Sequence, residues 1–254
     1  MSDKKYAVPT EIIDLPSKGV LYSPLNPLCS GSVEMKYMTA KEEDILTNVN
    51  LLRQGLAIET VLKSLIVTKI NYDELIIGDR NALLVAARIL AYGKDYAFEY
   101  VNPNTNEKEL VTVDLSELKY KEIDFDKLND KNEFTFKLPK TDNVVTYKIL
   151  TVADDKAIER EAKSMKKALN TDVGMMSLRL KKQITSVNGD SSEKAIREFV
   201  DGGHLLAMDS RALRTDMTRN TPDIDMTSLV TLRDGSDLNV DIPITAEFFF
   251  PGTE

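Results

Sequence analysis

The residues able to do chemistry are few in this chain and lie far apart. His204 is the only histidine and Cys29 the only cysteine. A serine or cysteine nucleophile paired with a histidine base would have to use that one imidazole, and no G-x-S-x-G or papain-like context supports either arrangement. His204 follows Gly202-Gly203 and precedes Leu205-Leu206, which reads as a structural histidine at a helix entrance. A lone cysteine excludes a disulfide within the chain and a thiolate zinc site. Phosphate-cradling loops of the G-x-x-x-x-G-K-S/T or G-x-G-x-x-G type do not occur. Asp154-Asp155 with Glu161-x-Lys163 has the residue types of a metal-dependent nuclease core. Such cores set these groups on adjoining strands, whereas here the spacing is that of an amphipathic helix. Glu42, Glu43 and Asp44 fall in the first turn of a helix, where the helix dipole favours negative charge. The expectation is a non-enzyme with no catalytic residue, metal or cofactor.

Charge and composition narrow the partners. A net charge of −8 over 254 residues argues against binding a phosphate backbone as the main task. Arg179, Lys181 and Lys182 form the only tight basic cluster, which reads as a solvated helix face. Trp is absent and aromatics make up 7% of the chain, which weakens any case for base stacking or sugar platforms. The N-terminal MSDKKYAVPTEIIDL lacks an apolar core of signal-peptide length, and no stretch is long enough to span a bilayer. The expected setting is a reducing cytosol, with no nucleic acid, membrane or small-molecule substrate as partner.

The elements that position these residues centre on LIIGDRNALLVAARILAYGKDY (Leu75–Tyr96). Asp79 is expected to accept from the free N–H groups of a first helical turn, and Gly93 to take the left-handed position at its end. Between them Ala82 to Ala91 are apolar on nearly every face, with Arg88 the lone charge. A helix of that kind is enclosed by other elements. Upstream, Thr39 and Glu42 form a capping-box pattern opening a helix through about Arg53, Gly55 ends it, and Leu56–Ile66 is a second amphipathic helix. Val33–Met38 reads as a strand. Tyr96, Phe98 and Tyr100 then alternate, and a polar turn leads into Leu110, Val111 and Val113, a hairpin pattern. Phe134–Leu138 and Val144–Leu150 repeat it. Helical spacing resumes from Asp154, with further helices at about 174–185, 191–200 and 209–219. A last pair of strands flanks Asp234-Gly235.

The fold class read from this order is α+β, a helical bundle around a buried central helix with antiparallel hairpins in the middle and at the C-terminus. Four segments follow: an extended arm at 1–32, a helical core segment at 33–95, a β-rich module at 96–150, and 151–254, helical and ending in strands. The arm is punctuated by Pro9, Pro16, Pro24 and Pro27, which deny it a helix or a central strand position, so it is expected to become ordered on a partner. Its apolar points include Leu15 and Tyr22. At the other end Phe248, Phe249 and Phe250, read as a strand, would need both faces covered. These five residues are the candidate partner-binding positions, with a strand tucked into the chain's own core as the competing reading for the three phenylalanines.

With the elements placed, LPSKGVLY (Leu15–Tyr22), VEMKYMTAKEEDIL (Val33–Leu46), GDRNALLVAARILAYGKDY, VDLSEL (Val113–Leu118), FKLP (Phe136–Pro139) and the closing IPI…EFFFPG appear in order. As a set they resemble the baseplate hub assembly proteins of T-even-type contractile-tailed bacteriophages. The resemblance implies an assembly factor of the host cell cytoplasm, a chaperone or catalyst that brings hub components to an assembly-competent state. It implies phage baseplate hub or other tail proteins as partners, and no enzyme activity. Some relatives carry a C-P-x-C-like knuckle where this chain has Asn102-Pro103-Asn104-Thr105-Asn106, so a metal-stapled turn is lost here. The alternative is a structural baseplate or tail component retained in the virion.

Overall fold

The computed structural model describes residues 8–169, 174–244 and 246–249. Its centre is the long apolar helix. Helix α1 (Ala40–Leu46) opens with the capping box that the T-x-x-E spacing predicts, Thr39 and Glu42 exchanging bonds with each other's backbone. The expected single helix breaks at Thr47-Asn48, because the Asn48 side chain accepts from Asn50 N and Leu51 N and starts α2 (Val49–Gln54) afresh. Helix α3 (Ala57–Leu65) turns Val61, Leu62 and Leu65 inward. Helix α4 (Ile77–Tyr92) buries Leu83, Leu84, Val85, Ala87 and Arg88. It ends at Gly93 with φ 84° and ψ 176°, a positive φ but an extended rather than left-handed helical turn.

The N-terminal segment is more ordered than its prolines suggest. Strand β1 (Thr10–Asp14) pairs antiparallel with β2 (Ser32–Lys36), Ile13 opposite Val33. Only one face of β1 meets the protein, so Ile12 stays exposed and the apolar alternation is weak. The loop between the strands folds back so tightly that a Cβ on Gly19, at φ +78°, would lie 2.4 Å from the Cys29 carbonyl oxygen.

Four small sheets surround the helices: β1-β2; β3 (Asp95–Val101) with β4 (Lys108–Asp114); β5 (Phe134–Lys137), β6 (Val144–Tyr147) and β7 (Ile184–Val187) in that order; and β8 (Thr227–Thr231) with β9 (Asp237–Asp241). All pairings are antiparallel. Helices α5 (Val152–Leu169), α6 (Met175–Gln183), α7 (Glu193–Asp201) and α8 (Ala207–Asn220) occupy the predicted positions. The stretch expected to finish α6 instead begins β7, whose β-branched Ile184, Thr185 and Val187 fit beside β6. The fold is therefore α+β, as the alternation of periods predicts.

The C-terminus differs from expectation. Ala246–Phe249 is a short 3-10 turn and not a strand, with Phe248 and Phe249 both buried. Phe248 meets Tyr96 edge-on at 5.0 Å between ring centroids and Phe249 at 5.2 Å. One continuous core runs from Leu15 through α4 to Phe249, and draws side chains from each of the four segments read from sequence.

Candidate interaction surfaces

Asp79 is the polar centre of the fold. Helix α4 starts two residues before it, so its carboxylate does not cap that helix. It turns instead to the N-terminal segment, accepting from Ser17 N at 2.9 Å, Ser17 Oγ at 2.6 Å and Tyr22 OH at 2.6 Å. Tyr22 OH in turn accepts from Ile76 N at 3.0 Å. Burial drives the Asp79 carboxyl above its ordinary range, opposed by the hydrogen bonds from Ser17 and Tyr22. Burial, followed by the neighbouring Asp79 charge, pushes the Tyr22 phenol well above its usual value, so Tyr22 keeps its proton and donates a hydrogen bond to Asp79. The flanking residues of the same block hold the other end of the chain. Gly78 abuts the Pro222 carbonyl, and Asn81 Nδ2 donates to Asp223 Oδ1 at 3.1 Å.

This arrangement decides the place of the expected partner-binding residues. Leu15, Tyr22, Phe248 and Phe249 are buried in the chain's own core. Leu15 and Tyr22 are drawn in because Ser17, between them, is tied to Asp79. Phe248 and Phe249 cover Tyr96 and α4-facing apolar groups. Phe250 lies outside the described residues.

The groups considered for chemistry are dispersed. His204 is exposed, and Cys29 is exposed with Sγ 3.5 Å from the Pro24 carbonyl. Asp154 takes Lys148 Nζ at 2.8 Å and Thr151 N at 3.2 Å, closing the first turn of α5. The basic cluster divides among ion pairs: Arg179 with Asp155, Lys181 with Asp201 at 2.8 Å, and Lys182 with Asp154 at 3.8 Å. Among the described residues no three His, Cys, Asp or Glu side chains are placed to share a metal ion. Asn102 closes the turn between β3 and β4: its Oδ1 accepts from Asn104 N at 2.8 Å and its Nδ2 donates to Glu109 at 3.0 Å.

A basic surface that the sequence reading missed lies on α8. Both acids of this helix are held by hydrogen bonds within the chain, Asp209 fully buried and Asp216 at the wall of a surface cleft. Asp209 accepts from Lys140 N at 2.8 Å and from Thr141 N and Oγ1, holding the β5–β6 turn. Asp216 accepts from Tyr147 OH at 2.7 Å and from Asn220 Nδ2. The arginines Arg211, Arg214 and Arg219 are all exposed. With Thr215 and Thr218 they line a shallow cleft of about 530 Å³, continuous through Arg211, Thr215 and Arg219 with one of about 420 Å³ walled by Phe136, Pro139 and Met208. Helical spacing was the available clue: at about 100° per residue, Arg211, Arg214 and Arg219 fall within roughly 140° of arc, opposite Asp209 and Asp216. A second concavity of about 320 Å³ runs along α4 between Ile12, Ile89, Leu118 and Tyr120.

The family model described as T4 bacteriophage base plate protein matches residues 10–250, and the chain belongs to that family. No curated protein and no solved structure matches the chain. Among the described residues no helix is long and apolar enough to cross a membrane.

Proposed function

We propose that this baseplate-family protein is a non-enzymatic assembly factor, a chaperone for the baseplate hub of a contractile phage tail, acting in the host cell cytoplasm. The observation that supports the reading is where the resembling blocks meet. LPSKGVLY supplies Ser17 and Tyr22, and GDRNALL supplies Gly78, Asp79 and Asn81, to one buried knot. VEMKYMTAKEEDIL supplies Lys36, Thr39 and Glu42 to a second. The blocks that resemble hub assembly proteins thus supply the residues that hold this chain together.

On this reading the protein works by reversible protein–protein contact, with no cofactor, nucleic acid, membrane or small-molecule substrate. Hub or other tail proteins dock on its surface and leave when their permanent neighbours arrive. A structural component kept in the virion is the second reading, favoured by the description of the family as a base plate protein. Quantitative mass spectrometry of purified particles separates the two. A chaperone is absent or far below stoichiometry while co-expression still raises the yield of assembled hub. Stoichiometric retention would overturn the chaperone reading.

A further inference from the structure

We propose that the outer face of α8 with its adjoining cleft is a docking site for an acidic, apolar-punctuated segment of a partner protein. The inference rests on the reading that this chain acts by binding other baseplate proteins, and it names the chemistry that one of them presents. Charge is sorted across this helix. Leu213, Met217 and Asn220 are buried, Asp209 is spent on Thr141, and Asp216, at the wall of the adjoining cleft, is held by Tyr147 and Asn220, so three exposed arginines outnumber the one carboxylate that shares their cleft. Among the described residues no ion pair reaches Arg211, Arg214 or Arg219, although the chain as a whole is strongly acidic; Arg214 Nε donates only to the Ser210 carbonyl of its own helix. The neighbouring basic residues of α6 are each matched to an acid, which shows what a structural use of cations looks like in this fold.

The face is built for more than a simple anion. Arg211 and Arg219 stand about 12 Å apart along the helix, the length of some four extended residues. Guanidinium groups at that spacing can each take a carboxylate in a forked pair. Beside them Met208 is 63% exposed and Phe136 half-buried, forming one wall of the cleft of about 420 Å³. An aromatic or leucine side chain placed between acidic residues fills that wall, whereas a nucleic-acid backbone would leave it uncovered. Three arginines on one helix also fall short of the extended basic face a polyanion tracks. Against a chain of net charge −8, an acidic segment is attracted where the arginines are exposed, so the patch helps set register as well as attraction.

The test uses a fluorescein-labelled peptide, Glu-Glu-Phe-Glu-Glu-Leu-Glu-Glu, titrated with the full chain and read by anisotropy. Saturable binding by the parent is expected, weakened by added salt, and weakened about tenfold at fixed salt by the combined R211E, R214E and R219E variant. Met208→Ser should cost several-fold while leaving the salt dependence unchanged. The Arg214→Ala single variant guards against misfolding of the triple one, and unchanged circular dichroism and melting temperature are required of both. Equal binding by the triple variant would overturn the proposal. So would a single-stranded oligonucleotide that binds more tightly than the peptide, or a chain dimer that the triple variant dissociates. Peptide docking by a chain that proves stoichiometric in particles would sink only the chaperone reading; a chaperone that ignores the peptide would sink only this surface.

Discussion

Replacing Gly78 by alanine sets two physical expectations against each other. Helix propensity alone favours alanine by about 1 kcal/mol. The structure demands the opposite, because a Cβ at Gly78 would lie 1.7 Å from the Pro222 carbonyl oxygen and 2.8 Å from Asp223 Cα, where ordinary contact begins near 3.4 Å. Both obstacles are backbone. That segment is held by Asn81 Nδ2 on Asp223 Oδ1 at 3.1 Å, by Lys121 N on the Asp223 carbonyl at 2.9 Å and by Asp225 N on the Lys119 carbonyl at 2.8 Å. Backing away costs overpacking strain of about 1–3 kcal/mol. It also loosens the Asn81 bond, about 1 kcal/mol, and part of the burial of Ile224, about another 1 kcal/mol. Less the propensity gain, the net loss is about 2–4 kcal/mol. Urea unfolding followed by circular dichroism should show a lower midpoint with an unchanged slope. Gly174→Ala is the control: among the described residues its Cβ would meet only Ser177 Oγ, at 3.8 Å, so the change should stay within about 1 kcal/mol. A Gly78→Ala protein as stable as the parent would refute the close approach.

Phe248→Ala removes a fully buried ring from Tyr96 and Phe249 and should cost about 3–5 kcal/mol in a thermal or urea melt; a loss below about 1 kcal/mol would return the C-terminal phenylalanines to a docking role. Burial would raise the Glu42 carboxyl, but bonds from Thr39, Lys36 and Ser64 outweigh it and hold the group at about 2, against an ordinary 4.5. Its ionised form thus contributes stability that is full above pH 4.5 and fades as pH falls toward 2, so the stability gap between parent and Glu42→Gln should close over that window. A gap constant across those pH values would contradict this. Arg88 donates to the Gly93 and Asp95 carbonyls at 3.0 and 3.3 Å, and a lysine cannot serve both, so Arg88→Lys should lower stability by about 1–2 kcal/mol in the same urea assay. Limited proteolysis of the free chain should spare the stretch from Thr10 to Ser32, since β1 pairs with β2 and Ser17 is tied to Asp79; early cuts there would show that the knot opens readily.

Local periodicity made most elements legible. The capping box at Thr39 and Glu42, the buried face of α4, the β3–β4 hairpin and helices α5 to α8 stand where their spacing puts them. What stayed hidden depends on partners distant in sequence. Asp79 has the chemistry of a cap and sits near a helix start, yet its bonds go to Ser17, 62 residues away, which no local window includes. The triple phenylalanine reads as a strand because aromatics favour strands, but Phe248 and Phe249 lie in a 3-10 turn, where Phe248 covers Tyr96. Strand β7 is four residues long and follows α6 with no turn residue, so only its pairing with β6 distinguishes it from a last helical turn. Of the candidate surface, the α8 arginines were readable on a helical wheel. The cleft beside them was not, since Phe136 and Met208 meet only through the docking of β5 on α8.

The size of the sheets explains why polar clips recur throughout. A two-stranded ribbon is marginal alone in water, and three of the four sheets here have only two strands. Each must borrow stability from elsewhere in the chain, and the borrowing is specific. Tyr120 OH reaches the Asp14 carbonyl at 2.7 Å, Arg233 N reaches Glu109 Oε2 at 2.9 Å, and Asn104 Nδ2 reaches Asp234 Oδ2 at 3.0 Å. These bonds join the β1-β2, β3-β4 and β8-β9 regions across more than a hundred residues of sequence. With the main hydrophobic core shared beneath these three regions, loss of one clip exposes apolar surface common to several pieces, which couples their unfolding. A binding surface mounted on such a body is held in one shape before its partner arrives. On the proposed chaperone reading, which requires release of a client as well as its capture, that has a consequence. Affinity then comes from surface contacts that salt or a competing neighbour can displace, and not from folding free energy that would have to be surrendered at each release.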